Sequence, residues 1–157
     1  MEVKDILQSP DFKVLLDEGL RQKACEAAEA IELPKAISKS QLYVIPSVIQ
    51  SSGLVGLRAL AEHQKEKKKD DEIKAFWSFI DDLLNPNPNE KKSLCRYAEK
   101  LLRDKNLLKD ESESDSKQEK KAIRKDNKAK VDELMESIIG VYFEHFTCQF
   151  FYMKKGR

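Results

Sequence analysis

The sequence predicts an all-α fold, a compact bundle of about five to six helices, on three observations. Glycine and proline number only five each in 157 residues, so the punctuation that strands and hairpins need is nearly missing. Ala, Leu, Glu and Lys, which tolerate helix well, are abundant. Apolar residues recur every three or four positions in successive stretches, the period of a helix that buries one face.

The first strong start signal is Ser9-Pro10-Asp11, a capping serine, a proline suited to the first helical position and an acid at the positive end of the dipole. Phe12, Leu16, Leu20, Ala24, Ala27 and Ile31 follow on one face until Pro34. A second helical region begins near Ser38 or Ser40 and carries Leu42, Ile45, Ile49, Leu54, Leu57, Leu60 and Ala61 inward to about Glu66. Pro46 and Ser51-Ser52-Gly53 interrupt it, which predicts a bend between Pro46 and Gly53 with the glycine in a left-handed conformation. KEKKKDD at 65–71 reads as a solvated connector. Ile73, Phe76, Trp77, Ile80, Leu83 and Leu84 form the cleanest amphipathic pattern, stopped by NPNPN at 85–89. A shorter helix from about Glu90 to Asp104 turns Leu94, Tyr97, Ala98, Leu101 and Leu102 inward.

Residues 109–122 hold almost nothing apolar, which predicts a flexible charged loop or a solvated helix start. The last helix builds from about Lys120, with Ile123, Val131, Leu134, Met135, Ile138, Ile139, Tyr142, Phe146 and Phe150 on one side. Phe143, Phe151 and Tyr152 widen that stripe, so its end is either central in the core or half of a partner interface. The length suits one domain spanning 1–157, able to bury a core without disulfide or metal staples.

Twenty-nine Lys and Arg against 28 Asp and Glu leave a net charge of +1, so no global field steers polyanions and any nucleic-acid contact must be local. Three scattered cysteines, Cys25, Cys95 and Cys148, fit reduced thiols in a cytoplasmic protein better than a disulfide framework. The opening MEVKDILQSPDF resembles neither a signal peptide nor an anchor, and no stretch reads as a membrane span.

Chemistry-bearing patterns are sparse. Arg58 and His63, separated by four residues, match the R-x4-H spacing of the small all-α HEPN ribonucleases, in which an Arg orients phosphate and a His moves a proton; Ala59 stands where that motif usually has a polar residue. His145 and Cys148 stand at a spacing compatible with two metal ligands on one face, but single distant cysteines are more often small buried hydrophobes. Adjacent acids such as Asp81-Asp82 point about 100° apart on a helix and do not converge on one substrate. The sequence therefore predicts no catalytic residue, no metal site and no cofactor. Basic residues around the end of the first long helix and on the second, Arg21, Lys23, Lys35, Lys39 and Arg58, are suited to neutralising backbone phosphates. Residues 117–130 hold seven basic and two acidic residues after the acidic run 110–115, which reads either as a charged arm or as a helix laced with ion pairs.

LRQKACEAA from Leu20 to Ala28, followed by LYVIPSVIQSSGLVGLRALA from Leu42 to Ala61, resembles the small helical subunit of type III-B CRISPR (Cmr) effector complexes. That family opens with a helix containing Gln, a basic residue and Ala, here Gln22, Lys23 and Ala24. It continues into a turn with Pro, Ile and Gly-Leu, here Pro46, Ile49, Gly53 and Leu54. The resemblance covers residues 20–84 and, loosely, the last thirty; 109–130 has no counterpart. It implies a non-enzymatic subunit in antiviral defence, present in several copies along a ribonucleoprotein beside the guide RNA and target RNA. Further copies of itself, backbone subunits and a large polymerase-like subunit would be its neighbours, and Lys23 its first phosphate contact. The alternatives are a HEPN-like ribonuclease using Arg58 and His63, and an unrelated all-α protein-interaction module.

Overall fold

Ser9 opens the first long helix: its hydroxyl faces the Phe12 amide at 3.5 Å, and Pro10 sits at the helix start. The computed structural model describes residues 2–31, 39–67, 71–113 and 115–155, with the side chains at 39–41, 72, 113 and 153–155 outside that description. Six α-helices and no strand occur among the described residues: α1 Val3–Leu7, α2 Pro10–Ala30, α3 Lys39–Lys67, α4 Asp71–Leu83, α5 Leu94–Asp104 and α6 Lys117–Lys155. A 3-10 turn at Glu111–Glu113 precedes α6. The all-α bundle expected from composition and periodicity is the observed architecture. The positions expected at Pro34 and Ser38, and part of the 65–71 connector, lie outside the described residues.

The core is built on α6. Leu134, Met135, Ile138, Ile139, Tyr142, Phe143, Phe146 and Phe150 are all buried, and α2, α3 and α5 pack along the helix. Phe146 is the aromatic hub, its ring 6.0–6.3 Å from those of Phe76, Phe79, Tyr142 and Phe143. Such offset and edge-to-face pairs add about 0.5–1.5 kcal/mol each beyond the area they bury. The end of α6 is thus core, with Phe151 against Tyr43 at 5.2 Å and Tyr152 left outside. On α2 the buried stripe runs Phe12, Leu16, Leu20, Ala24 and Ala28; it steps by four throughout, so Ala28 takes the place expected for Ala27. The short α1, unmarked by any periodic run, docks Val3 and Ile6 into the same core.

Four expectations are corrected. The last helix starts at Lys117 and not near Lys120, so 117–122 are its exposed start, as one of the two readings has it, and 109–111 ahead of it are tied down. Asn127 both donates to the Lys109 carbonyl and accepts from its amide, Arg124 pairs with Glu111, and Lys130 Nζ reaches the Leu107 carbonyl at 2.9 Å. Polar side chains hold the segment where apolar ones are missing. Secondly, α5 starts at Leu94 and not near Glu90, because Ser93 caps it through the Cys95 amide, while Asn85 and Asn87 close successive turns onto the amides two residues on. Thirdly, the proline makes no break of its own: Pro46 lies inside α3, and the departure from helical dihedrals is at Gly53, φ 63° and ψ −153°, where the glycine is expected to bend the chain. Lastly, the stretch of α3 from Leu42 to Lys67 is long enough to span a membrane and holds an 18-residue window of mean hydropathy 1.3, contrary to the expectation that no stretch reads so. Leu42, Ile45, Leu54, Leu57 and Ala61 are buried in the bundle, against α4 and α6, while Tyr43, Val44 and Val55 of the same stretch are exposed.

At the break the chain uses conformational space that is essentially reserved for glycine. The Glu136 carboxylate of α6 accepts from the Leu54 amide, both oxygens at 3.1 Å, and so caps the second half of α3 from across the bundle. A Cβ on Gly53 would stand 2.6 Å from the same carboxylate. Gly53→Ala therefore loses about 1–3 kcal/mol of stability in urea unfolding. Glu136→Ala, which keeps the backbone and removes only the cap, loses about 1 kcal/mol; equal midpoints for Glu136→Ala and the parent would refute the capping role.

Candidate nucleic-acid interface

The five basic residues expected to meet phosphate do not converge. Arg21 and Lys23 are both exposed on α2, but two residues of helix turn them about 200° apart. Arg21 shares a shallow depression with Glu18, Glu26 and Glu29, whose carboxylates offset its charge. Lys23 lies on the other side, its Nζ 5.0 Å from the centre of the Tyr97 ring on α5, a cation–π contact at the surface. Lys35 lies outside the described residues, as does the side chain of Lys39.

Arg58 is committed to the bundle. Its Nε donates to the Leu84 carbonyl at 2.9 Å, just beyond the end of α4, and a second guanidinium nitrogen lies 3.8 Å from Cys95 Sγ. A cation at the end of α4 satisfies an otherwise orphaned carbonyl and complements the dipole. His63 is exposed, and five residues along a helix set it about 140° from Arg58. The two side chains do not face a common substrate position.

Cys95 is buried beside that guanidinium, and burial pushes its thiol above the usual cysteine range, with the Ser93 and Arg58 contacts opposing the shift. His145 pairs with Asp17 at 2.8 Å, tying α6 to α2, while Cys148 is exposed. Among the described residues no group of three or more His, Cys, Asp or Glu side chains is placed to hold a metal ion.

A cleft of about 560 Å³ opens between the 86–89 turn, the end of α5 and the first half of α6. Its arginines are already paired, Arg103 with Glu99 and Arg124 with Glu111, so these charges largely cancel. Hydrogen bonds from the Ser112 amide and hydroxyl hold the Asp110 carboxyl below its usual range and keep it ionised. That contribution is present above the unfolded carboxylate pKa and is lost as pH falls through the folded one.

The cations that sequence reasoning passed over lie on α6. Lys117, Lys121, Arg124, Lys125 and Lys128 are all exposed, and their spacing puts them on one face. The excess of basic residues in 117–130 is plain in the sequence; that the segment is helical from Lys117 sorts them.

Two outcomes follow. Arg58→Ala lowers stability by about 1.5–3 kcal/mol, the range for a charge-assisted hydrogen bond, and Arg58→Lys restores only part of it; urea unfolding measures both. In folded protein at pH 8 a thiol reagent modifies Cys148 first and Cys95 last, since burial removes both access and thiolate; prompt labelling of Cys95 would contradict the packing around Arg58.

No protein family, curated protein or solved structure matches this chain. What it does must be argued from its own residues and their geometry.

Proposed function

We propose that the protein is a non-catalytic small subunit of an RNA-guided effector ribonucleoprotein, of the kind its sequence resembles in type III-B CRISPR complexes. It acts in the cytoplasm in antiviral defence, beside the guide and target RNA, with further copies of itself and larger subunits as neighbours. The observation that carries this reading is the break in α3. Pro46, Ile49, Gly53 and Leu54 are the residues of the resemblance, and Gly53 is where the helix turns and Glu136 recaps it. The Gly-Leu part of the motif thus coincides with a structural joint, which gives a physical reason for a glycine followed by a capped amide at 53–54.

The engagement of Arg58 with the Leu84 carbonyl supports a structural role for this arginine over a catalytic one. With Lys23 seated over Tyr97, the α2 face offers one point charge to a phosphate and no means of reading bases.

Recovery of the tagged protein from its host under mild salt tests the proposal. Short RNAs of uniform length and several larger polypeptides are expected in the same fraction. A lone protein free of RNA and of partners would sink it. Purified protein incubated with labelled RNA is expected to leave it intact; cleavage abolished by both Arg58→Ala and His63→Ala would establish the ribonuclease instead.

A further inference from the structure

We propose that the first half of α6 is a track for the phosphate backbone of RNA, with Lys117, Lys121, Lys125 and Lys128 as its contacts and Arg124, paired with Glu111, on the same face. The proposal rests on the reading of the protein as an RNA-associated subunit and names a surface which that reading does not supply.

Helical phase is the primary observation. At about 100° per residue the five cations fall within a sector of about 100°, one or two per turn, over an axial rise of about 16 Å. Adding eighteen residues, five full turns, to each position leads to Met135, Ile139, Tyr142, Phe143 and Phe146, all buried. The face of α6 that forms the core in its second half is thus the face that carries cations in its first half. Between Lys117 and Glu133 no residue is buried, and Asp132, half-buried, marks where the exposed face passes into the core.

Three acids of the same helix are sorted the other way, while Asp132, at the end of the stripe, falls within its sector and lines the same cleft as Arg124 and Lys128. Glu119, Asp126 and Glu133 lie about 140–180° from the centre of the stripe. Arg124 reaches Glu111, and Lys130, which pairs with Asp126, lies off the stripe. Lys117, Lys121, Lys125 and Lys128 have no ion-pair partner among the described residues. A chain of net charge +1 therefore holds a local line of positive charge along a rigid rod.

The chemistry of the stripe selects its ligand. Four of the five cations are lysines, compact point charges suited to successive phosphates, and no aromatic residue in 117–130 offers a stacking platform. Contact would be with the backbone and indifferent to sequence. A membrane surface needs an apolar face beside the charges, and only Ala122 and Ala129 are exposed there. A protein interface needs a buried aromatic or aliphatic anchor at its centre, and the stripe has none.

The test uses the purified full-length protein and a fluorescein-labelled oligouridylate, with binding followed by anisotropy across a salt series. Lys121→Gln, Lys125→Gln and Lys128→Gln together are expected to weaken binding on the order of tenfold at low salt and to flatten the log–log salt slope by about 2, the share of three released phosphate counterions on a single strand. A control triple with the same loss of charge elsewhere, Lys13→Gln, Lys74→Gln and Lys91→Gln, is expected to keep the slope. Unchanged unfolding midpoints establish that both variants fold. Equal losses in the two variants, or no binding by the parent protein at low salt, would overturn the track. So would a fluorescent polyglutamate of matched charge that binds as tightly and loses as much in the stripe variant, since the surface would then fit an acidic protein. If RNA still comes down from the host with the stripe variant as with the parent, the effector reading stands and the track fails. If it comes down with neither, the effector reading fails as well.

Discussion

A helix of 39 residues rises about 58 Å, well beyond the 21-residue α2 that packs along it, and the rest of the molecule is arranged around that mismatch. The shorter helices can enclose only part of α6. They enclose the second half, where every turn delivers large apolar side chains and Phe146 meets four other rings. Deleting such a hub leaves a cavity in a close-packed interior, which costs about 3–5 kcal/mol for Phe→Ala at comparable sites. The first half keeps its helix without burial, through good helix formers and the polar ties to 107–111.

Helix angles elsewhere are set by two charged side chains that act on helix ends. Glu136 supplies an acceptor where the second half of α3 begins, and Arg58 supplies a donor where α4 stops. Both couple elements far apart in sequence, and both neutralise backbone groups that would otherwise be orphaned near the core. The joint at Gly53 thereby becomes a fixed angle and not a loose hinge: the glycine permits the dihedrals and the carboxylate holds them. A residue such as Arg58, basic and on an apolar helix, reads equally well as a phosphate ligand, a catalytic group or a cap. Only its neighbours distinguish these, and its neighbour is a carbonyl.

What the sequence discloses follows the range of the interactions. Stripes with a period of three to four residues are local, so Phe12 to Ala24, Phe76 to Leu84 and Leu134 to Phe150 are legible directly, as are the Ser9 start and the Gly53 break. Contacts that depend on distant pairs are not. Glu136 and Leu54 are 82 positions apart, and nothing in a single chain links them. The segment after Leu108 misleads for a related reason: lacking apolar residues it reads as unable to order, yet Arg124 and Asn127 reach Glu111 and Lys109 from 13 and 18 positions away. Of the basic residues, the sequence supplies the inventory and the spacing that puts Lys121, Arg124, Lys125 and Lys128 on one face of any helix through them, while the helix start at Lys117 and the exposure of that face come from the structure.

Net charge is a poor guide for such a molecule. Positive and negative residues nearly cancel over the chain, but over 117–128 five cations of α6 share one face and the acids Glu119 and Asp126 lie on the other, and a polyanion responds to the face it meets within about a Debye length, roughly 10 Å at moderate salt. Four lysine–phosphate contacts without stacking or base reading make a weak and salt-sensitive interaction in one subunit. In an assembly the same contacts act at high effective concentration once neighbours hold the strand, so each copy can bind poorly by itself and still contribute to a stable complex. A rod that buries its face at one end and bares it at the other suits that arrangement, because the buried end fixes the direction in which the exposed end points.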